Sequence, residues 1–176
     1  MNEQQKPAIR RAEPTDIPAA REVVDQAYHR YVDRIGRKPG PMLDDYSLRQ
    51  AEGTLWVLEE SGGIAGIVVL IDMDDHLLLD NIAVTPSRQG QGLGRLLLDF
   101  AAGEAARRGY REMRLYTHAR MTENRALYRR LGWEEYAQGE QSGYRRVFMR
   151  KPVPLSCDQA SPITPRNDPS PAGREA

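Results

Sequence analysis

Two hydrophobic periods divide the chain. Ile17, Ala20, Val23, Val24, Ala27, Tyr28 and Tyr31 recur at three- and four-residue spacing and predict an amphipathic helix, with Thr15 or Asp16 as its cap, behind a short strand at 8–12. The run Ile35-Gly36-Arg37-Lys38-Pro39-Gly40-Pro41 ends that helix, and a shorter one is expected over 42–50. The period then changes. Apolar runs of strand length occupy 55–58, 64–71 and 77–84, the first two joined by Glu59-Glu60-Ser61-Gly62-Gly63, so three neighbouring antiparallel strands are predicted. Helical spacing returns with Leu93, Leu96, Leu97, Phe100, Ala101 and Ala105, giving a helix over 92–108 that ends on Arg107-Arg108-Gly109. A strand at 111–117, a short helix at 123–131 ended by Gly132, and a closing strand pair at 133–136 and 144–149 complete the order. The sum is an α+β fold, one mixed central sheet of about seven strands flanked by about four helices.

Composition places this pattern in a single unit. With 176 residues, 40% apolar and 28% charged, and 25 Lys+Arg against 25 Asp+Glu, the chain suits one ordinary globular domain without a net field. Such a balance does not call for nucleic acid or an anionic membrane. The longest uncharged apolar run, 64–71, is far below the roughly 20 residues that cross a bilayer, and residues 1–6 lead into no secretory core, so the cytoplasm is the expected location. Residues 1–6 read as an extension and 7–152 as the folded domain. Residues 153–176, rich in proline and poor in bulky apolar side chains, read as a disordered tail carrying the single cysteine, Cys157. One cysteine excludes an internal disulfide and a cysteine-built metal site.

The chemistry concentrates in Gln89-Gly90-Gln91-Gly92-Leu93-Gly94, set between a buried strand and a helix. A helix N-terminus presents unpaired amides and the positive end of the macrodipole, which stabilises an anion, and glycines let a pyrophosphate reach the backbone. Arg88 and Arg95 flank the loop and can neutralise further phosphate. A Walker loop is rejected because Arg95-Leu96, not Lys-Ser/Thr, follows Gly94; a dinucleotide fingerprint is disfavoured because its third glycine falls on Arg95 or Leu97.

The remaining pattern, Q/R-x-x-G-x-G/A, preceded by Asn81-Ile82-Ala83-Val84 and Pro86, resembles motif A of the GCN5-related N-acetyltransferase (GNAT) superfamily. The two-helix segment after the first strand, the element order through Phe148, and Asn124-Arg125-Ala126-Leu127-Tyr128-Arg129-Arg130-Leu131-Gly132-Trp133 extend the resemblance over about 140 residues. It implies an acetyl-CoA-dependent N-acetyltransferase without a metal, acting on a small-molecule or peptide amine by direct attack in a ternary complex; dimers are common in such families. Ile82, Ala83 and Val84 would face the pantetheine arm of coenzyme A. Gln89, Gly90, Gln91, Gly92, Leu93, Gly94 and Arg95 would form the phosphate site. Pantetheine amides suit an exposed strand edge, and parting of the strand at 79–84 from that at 113–117 would open the slot.

Asn124 and Tyr128, four apart, share one helical face. By resemblance Tyr128 protonates the departing thiolate and Asn124 holds the pantetheine arm, although in many relatives the asparagine lies seven residues before the tyrosine. A phenol hydroxyl near the sulfur suits that role. The glutamate base of the histone-modifying branch aligns with Leu78, which cannot serve; period-two alternation puts His76, Leu78, Asp80 and Ile82 on one side, so Asp80 is the nearest acidic replacement. His118 or a chain of waters are the alternatives. The resemblance also makes the segment 28–42 a wall of the acceptor pocket, with Tyr31 and Arg34 as candidates for holding the amine. The competing reading is a non-catalytic acyl-CoA-binding or regulatory domain.

Overall fold

In the computed structural model, which describes residues 6–154, the chain runs β1 (Ala8–Arg11), α1 (Ile17–Ile35), α2 (Tyr46–Ala51), β2 (Leu55–Glu60), β3 (Gly63–Asp72), β4 (Leu77–Val84), α3 (Leu93–Arg107), β5 (Glu112–His118), α4 (Thr122–Arg130), β6 (Glu134–Gln141) and β7 (Tyr144–Pro152). The expected α+β architecture is present: one seven-stranded sheet in the order β1-β2-β3-β4-β5-β7-β6. Only the central β4–β5 pair is parallel. The expectations for residues 1–5 and for the tail from 155, Cys157 included, lie outside the described residues. Among the described residues no helix is long and apolar enough to cross a membrane.

The sheet separates two apolar clusters. α3 and α4 cover one face, where Leu97, Ala101, Leu115, Val147 and Met149 are fully or almost fully buried. α1 and α2 cover the other, over Leu55, Val57, Ile67 and Val69. Helix spacing explains the division, since the apolar stripe of each helix must find the apolar face of a strand pair.

Three local expectations change. Asp16 does not cap α1 through its side chain; its carboxylate accepts the Glu13 amide (2.7 Å) and two bonds from the Arg10 guanidinium (2.7 and 3.1 Å). That partnership, the Arg10 hydrogen bonds foremost, holds the Asp16 carboxyl below the usual carboxylate range. The second helix starts at Tyr46 rather than Met42, because Asp45 accepts the Ser47 and Leu48 amides as an N-cap, while Gly40–Leu43 forms a 3-10 turn. The last hairpin is longer than expected: β6 and β7 meet at a two-residue turn, Ser142-Gly143, with φ of 53° and 75°. Its first strand is an exposed, charged edge, so it lacks the apolar alternation that marks a half-buried strand.

β4 carries an irregularity that decides the site. Val69 pairs with Asn81 and Leu70 with Leu79, leaving Asp80 as an extra residue, a β-bulge. Before the bulge Leu77 and Leu79 face α3; after it Ile82 and Val84 do, and Ala83 faces α1. The single-sided set His76, Leu78, Asp80 and Ile82 expected from strict alternation is therefore broken at Asp80, and Ile82 packs on the opposite face.

Candidate functional site

β4 and β5 pair only from Leu77–Met113 to Leu79–Leu115. Beyond that point β4 stays with β3 and β5 stays with β7, so the two central strands part and a cleft opens through the sheet. Its walls include Asp80 and Ile82 of β4, Tyr116 and His118 of β5, and Asn124 and Tyr128 of α4. The carboxamide and the phenol nominated on one helical face thus reach the same space. The β4 backbone edge that faced β5 at Leu77–Leu79 has no strand partner there along 80–84. An unpaired edge inside a cleft is suited to an extended amide-bearing chain.

At the end of β4 the glycine loop is shaped by its own bonds. The Gln89 side-chain amide donates to the Val84 carbonyl (3.0 Å) and that of Gln91 to the Ser87 carbonyl (3.4 Å). Gly90 and Gly92 have φ of 77° and 83°, a left-handed backbone that other L-residues adopt only under strain. Leu93 is buried and fixes the loop to the core beneath α3. The first intrahelical bond runs from the Leu96 amide to the Gly92 carbonyl (3.0 Å), and no side chain caps the helix. The amides of Leu93, Gly94 and Arg95 consequently lack helical acceptors. A Cβ placed on Gly90, Gly92 or Gly94 would meet nothing within 4 Å, so the cradle is open in front of them. Arg95 is exposed and only loosely paired with Asp99 (3.9 Å), whereas Arg88 is committed to Glu60 through a 2.8 Å bond from its Nε.

The Tyr128 hydroxyl borders the cleft. Burial, then the neighbouring Tyr31, pushes its pKa well above the ordinary tyrosine value, and no hydrogen bond contributes. The group therefore stays protonated at neutral and mildly alkaline pH. Asn124 lies beside it and accepts a long bond from the Tyr31 hydroxyl (3.4 Å).

Opposite, Asp80 is nearly enclosed. It accepts the Tyr116 hydroxyl and lies 3.8 Å from the Arg49 guanidinium, which is itself held by Asp44 (2.9 Å). Asp44, Arg49, Asp80, Tyr116 and Arg146 line a polar recess continuous with the cleft. His118 also borders the cleft; burial, and then Arg120, Arg146 and Arg37, depress its pKa, which keeps the ring neutral near pH 7. Its Nδ1 accepts the Arg120 amide (3.1 Å), so the neutral ring carries its proton on Nε2 and is a donor there.

From the segment 28–42, the cleft takes Tyr28, Ile35 and Pro39–Pro41. Tyr31 and Arg34 are not among its lining residues, although the Tyr31 hydroxyl reaches Asn124 on the cleft wall. Tyr31 is buried beneath Arg30 and Arg34, and Arg34 clasps Glu123 (2.7 and 2.9 Å). Asn81, Tyr116 and Arg146 were not legible as site residues. Asn81, buried in an otherwise apolar strand, accepts the Tyr28 hydroxyl (2.7 Å) and donates to the Tyr46 hydroxyl (2.9 Å), which donates to the Pro41 carbonyl (2.7 Å). That chain ties the Pro39–Pro41 wall to β4 beside the bulge. A lone buried asparagine in an apolar strand was the available signal.

Comparison with known proteins agrees with this geometry. Residues 51–135 match the acetyltransferase (GNAT) domain model. The chain is 33% identical over 125 residues to the [ribosomal protein bS18]-alanine N-acetyltransferase of Escherichia coli K12, covering 70% of this chain and 78% of that protein. The crystal structure of the Escherichia coli ribosomal-protein-S18-alanine N-acetyltransferase superposes with a TM-score of 0.68 at 25% identity, over 87% of this chain and 97% of that one. The structure of yncA from Salmonella typhimurium with its cofactor acetyl-CoA shares the fold at a TM-score of 0.65 and 24% identity, over 87% and 97% of the two chains. With its parted β4–β5 pair beside an open glycine cradle and these relatives, the chain belongs to the GNAT acetyltransferase family and is an N-acetyltransferase.

Proposed function

We propose that the chain moves an acetyl group from acetyl-CoA to a primary amine by direct attack, with both substrates bound at once. The observation that carries this reading is the cleft itself, which brings an unpartnered protonated phenol, Tyr128, and a carboxylate, Asp80, to one opening through the sheet. When bound, acetyl-CoA supplies an activated thioester carbonyl. The β4 edge at Ile82, Ala83 and Val84 holds the pantetheine arm, with Asn124 beside it. The amides from Gly90 to Arg95, with the Arg95 guanidinium, hold the pyrophosphate.

Asp80 takes the proton that the acceptor ammonium must lose before its nitrogen attacks. His118 is less suited, because the lone pair of its Nδ1 already accepts the Arg120 amide. The C–N bond forms, the C–S bond breaks, Tyr128 gives its proton to the departing sulfur, and the second proton shed by the acetylated nitrogen restores the Tyr128 hydroxyl through water. The acceptor enters from the recess beside Pro39–Pro41. The relative named for an alanine of a ribosomal protein supports an α-amino group as the acceptor class.

Steady-state thiol release across an amine panel, with calorimetric titration of coenzyme A alongside, tests the reading. Tyr128→Phe should lower kcat about 100-fold with unchanged coenzyme A affinity. The wild-type enzyme should keep its kcat up to about pH 9, since the raised hydroxyl remains protonated there. Equal rates for the two proteins would remove Tyr128 as the acid.

A further inference from the structure

Of the two arginines that line the recess, Arg49 is paired and Arg146 has no protein acceptor among the described residues. Arg49 is held by Asp44, Arg34 by Glu123, Arg120 by the Arg34 carbonyl and Arg37 by the Ser142 carbonyl. Arg146 makes no ion pair, and its buried Nε has no hydrogen-bond partner. Its guanidinium lies over the Tyr116 ring, 4.1 Å from the centroid, with Tyr144 at 5.4 Å. Aromatic faces offset only part of the cost of taking a guanidinium from water, and an unmade bond at a buried donor costs more than a made one returns. An anion entering the recess would complete it.

The recess is also bipolar. Asp80 and Arg146 line the same two connected spaces and flank one side chain: Asp80 accepts the Tyr116 hydroxyl, and Arg146 covers the Tyr116 ring. A carboxylate site and a guanidinium site therefore stand one tyrosine ring apart, with the carboxylate beside the cleft where the amine must react. The wider field agrees, because Arg37, Arg120 and Arg145 join Arg146 around His118. Glu140 lines an outer groove together with Arg146 but forms no ion pair with it.

We propose that Arg146 binds a carboxylate on the acceptor, and that the acceptor is a small amino-acid-type zwitterion whose ammonium group is turned toward Asp80. This rests on the transferase reading and narrows it. A peptide N-terminus carries an amide where a free amino acid carries a carboxylate, so it would leave Arg146 uncompensated.

Thiol release from acetyl-CoA is measured with free amino acids, with the matching carboxamides, and with a C-terminally amidated peptide that begins with alanine. The wild-type kcat/KM should favour each acid over its carboxamide by about 10- to 100-fold, the range expected for a charge-assisted hydrogen-bonded pair. Arg146→Gln should lower turnover of the acid far more than that of the amide, bringing the ratio toward one. Arg146→Lys should restore part of it, and both variants should bind coenzyme A like the wild type, which also reports that they are folded. Equal turnover of acid and amide by the wild-type enzyme, or of the peptide above every free amino acid, overturns the carboxylate assignment and leaves the transferase reading standing. No thiol release with any amine, while coenzyme A still binds, overturns both.

Discussion

The two ends of the cleft are built on different principles. The end proposed for the cofactor is made of backbone: positive-φ glycines, uncapped amides at the start of α3, and the unpaired edge of β4. The end proposed for the acceptor is made of side chains from four distant segments, with Tyr28, Asn81, Tyr46 and Arg146 converging on the Pro39–Pro41 wall and Tyr116. Backbone recognition needs a local sequence and tolerates variation around it; side-chain recognition needs a tertiary neighbourhood and can be changed one residue at a time. One scaffold can thereby keep its donor while its acceptor varies.

Substitutions should separate the two ends. The largest effect is expected at Asp80: Asp80→Asn should lower kcat/KM for the acceptor by about 100- to 1,000-fold while calorimetry finds coenzyme A affinity unchanged. Gly92→Val should do the reverse, raising the coenzyme A Kd by about 100-fold, because the left-handed backbone is strained with a β-branched residue and the new side chain enters the open cradle. Tyr46→Phe breaks the link between Asn81 and the Pro41 carbonyl, so acceptor KM should rise about five-fold and stability should fall by about 1–2 kcal/mol, with the cofactor end untouched. Arg88→Ala should shift coenzyme A affinity by less than about two-fold, since its charge is spent on Glu60; the exposed Arg95→Ala should cost somewhat more. If the Asp80 and Gly92 variants both impaired donor and acceptor alike, the division into two ends would fail.

The same difference explains what the sequence disclosed. Helices and inner strands followed from spacing, and the helix ends from Gly36 and Gly132, both in left-handed conformation. The glycine loop was legible because the phosphate site proposed for it lies on consecutive residues. Asn124 and Tyr128 were legible because a helix fixes which residues share a face, and both border the cleft. Arg146 was not, since nothing within the β7 sequence distinguishes it from Arg145 or Arg150; only its place in the recess over Tyr116 and its buried, unpartnered Nε do. Tyr31 and Arg34 were chosen by segment; Tyr31 meets the cleft through its bond to Asn124 and Arg34 is held by Glu123, and both partnerships depend on how α1 seats against α4.

The bulge in β4 bears on how such a site is acquired. Removing Asp80 alone would leave Leu77, Leu79, Ile82 and Val84 in unbroken alternation toward α3, with Leu78, Asn81 and Ala83 opposite. The proposed base is thus the supernumerary residue of an otherwise regular strand. A reading-frame-preserving gain or loss of one codon would add or delete the carboxylate without redrawing the core, and residue-by-residue comparison with an unbulged strand would set Asp80 opposite a gap.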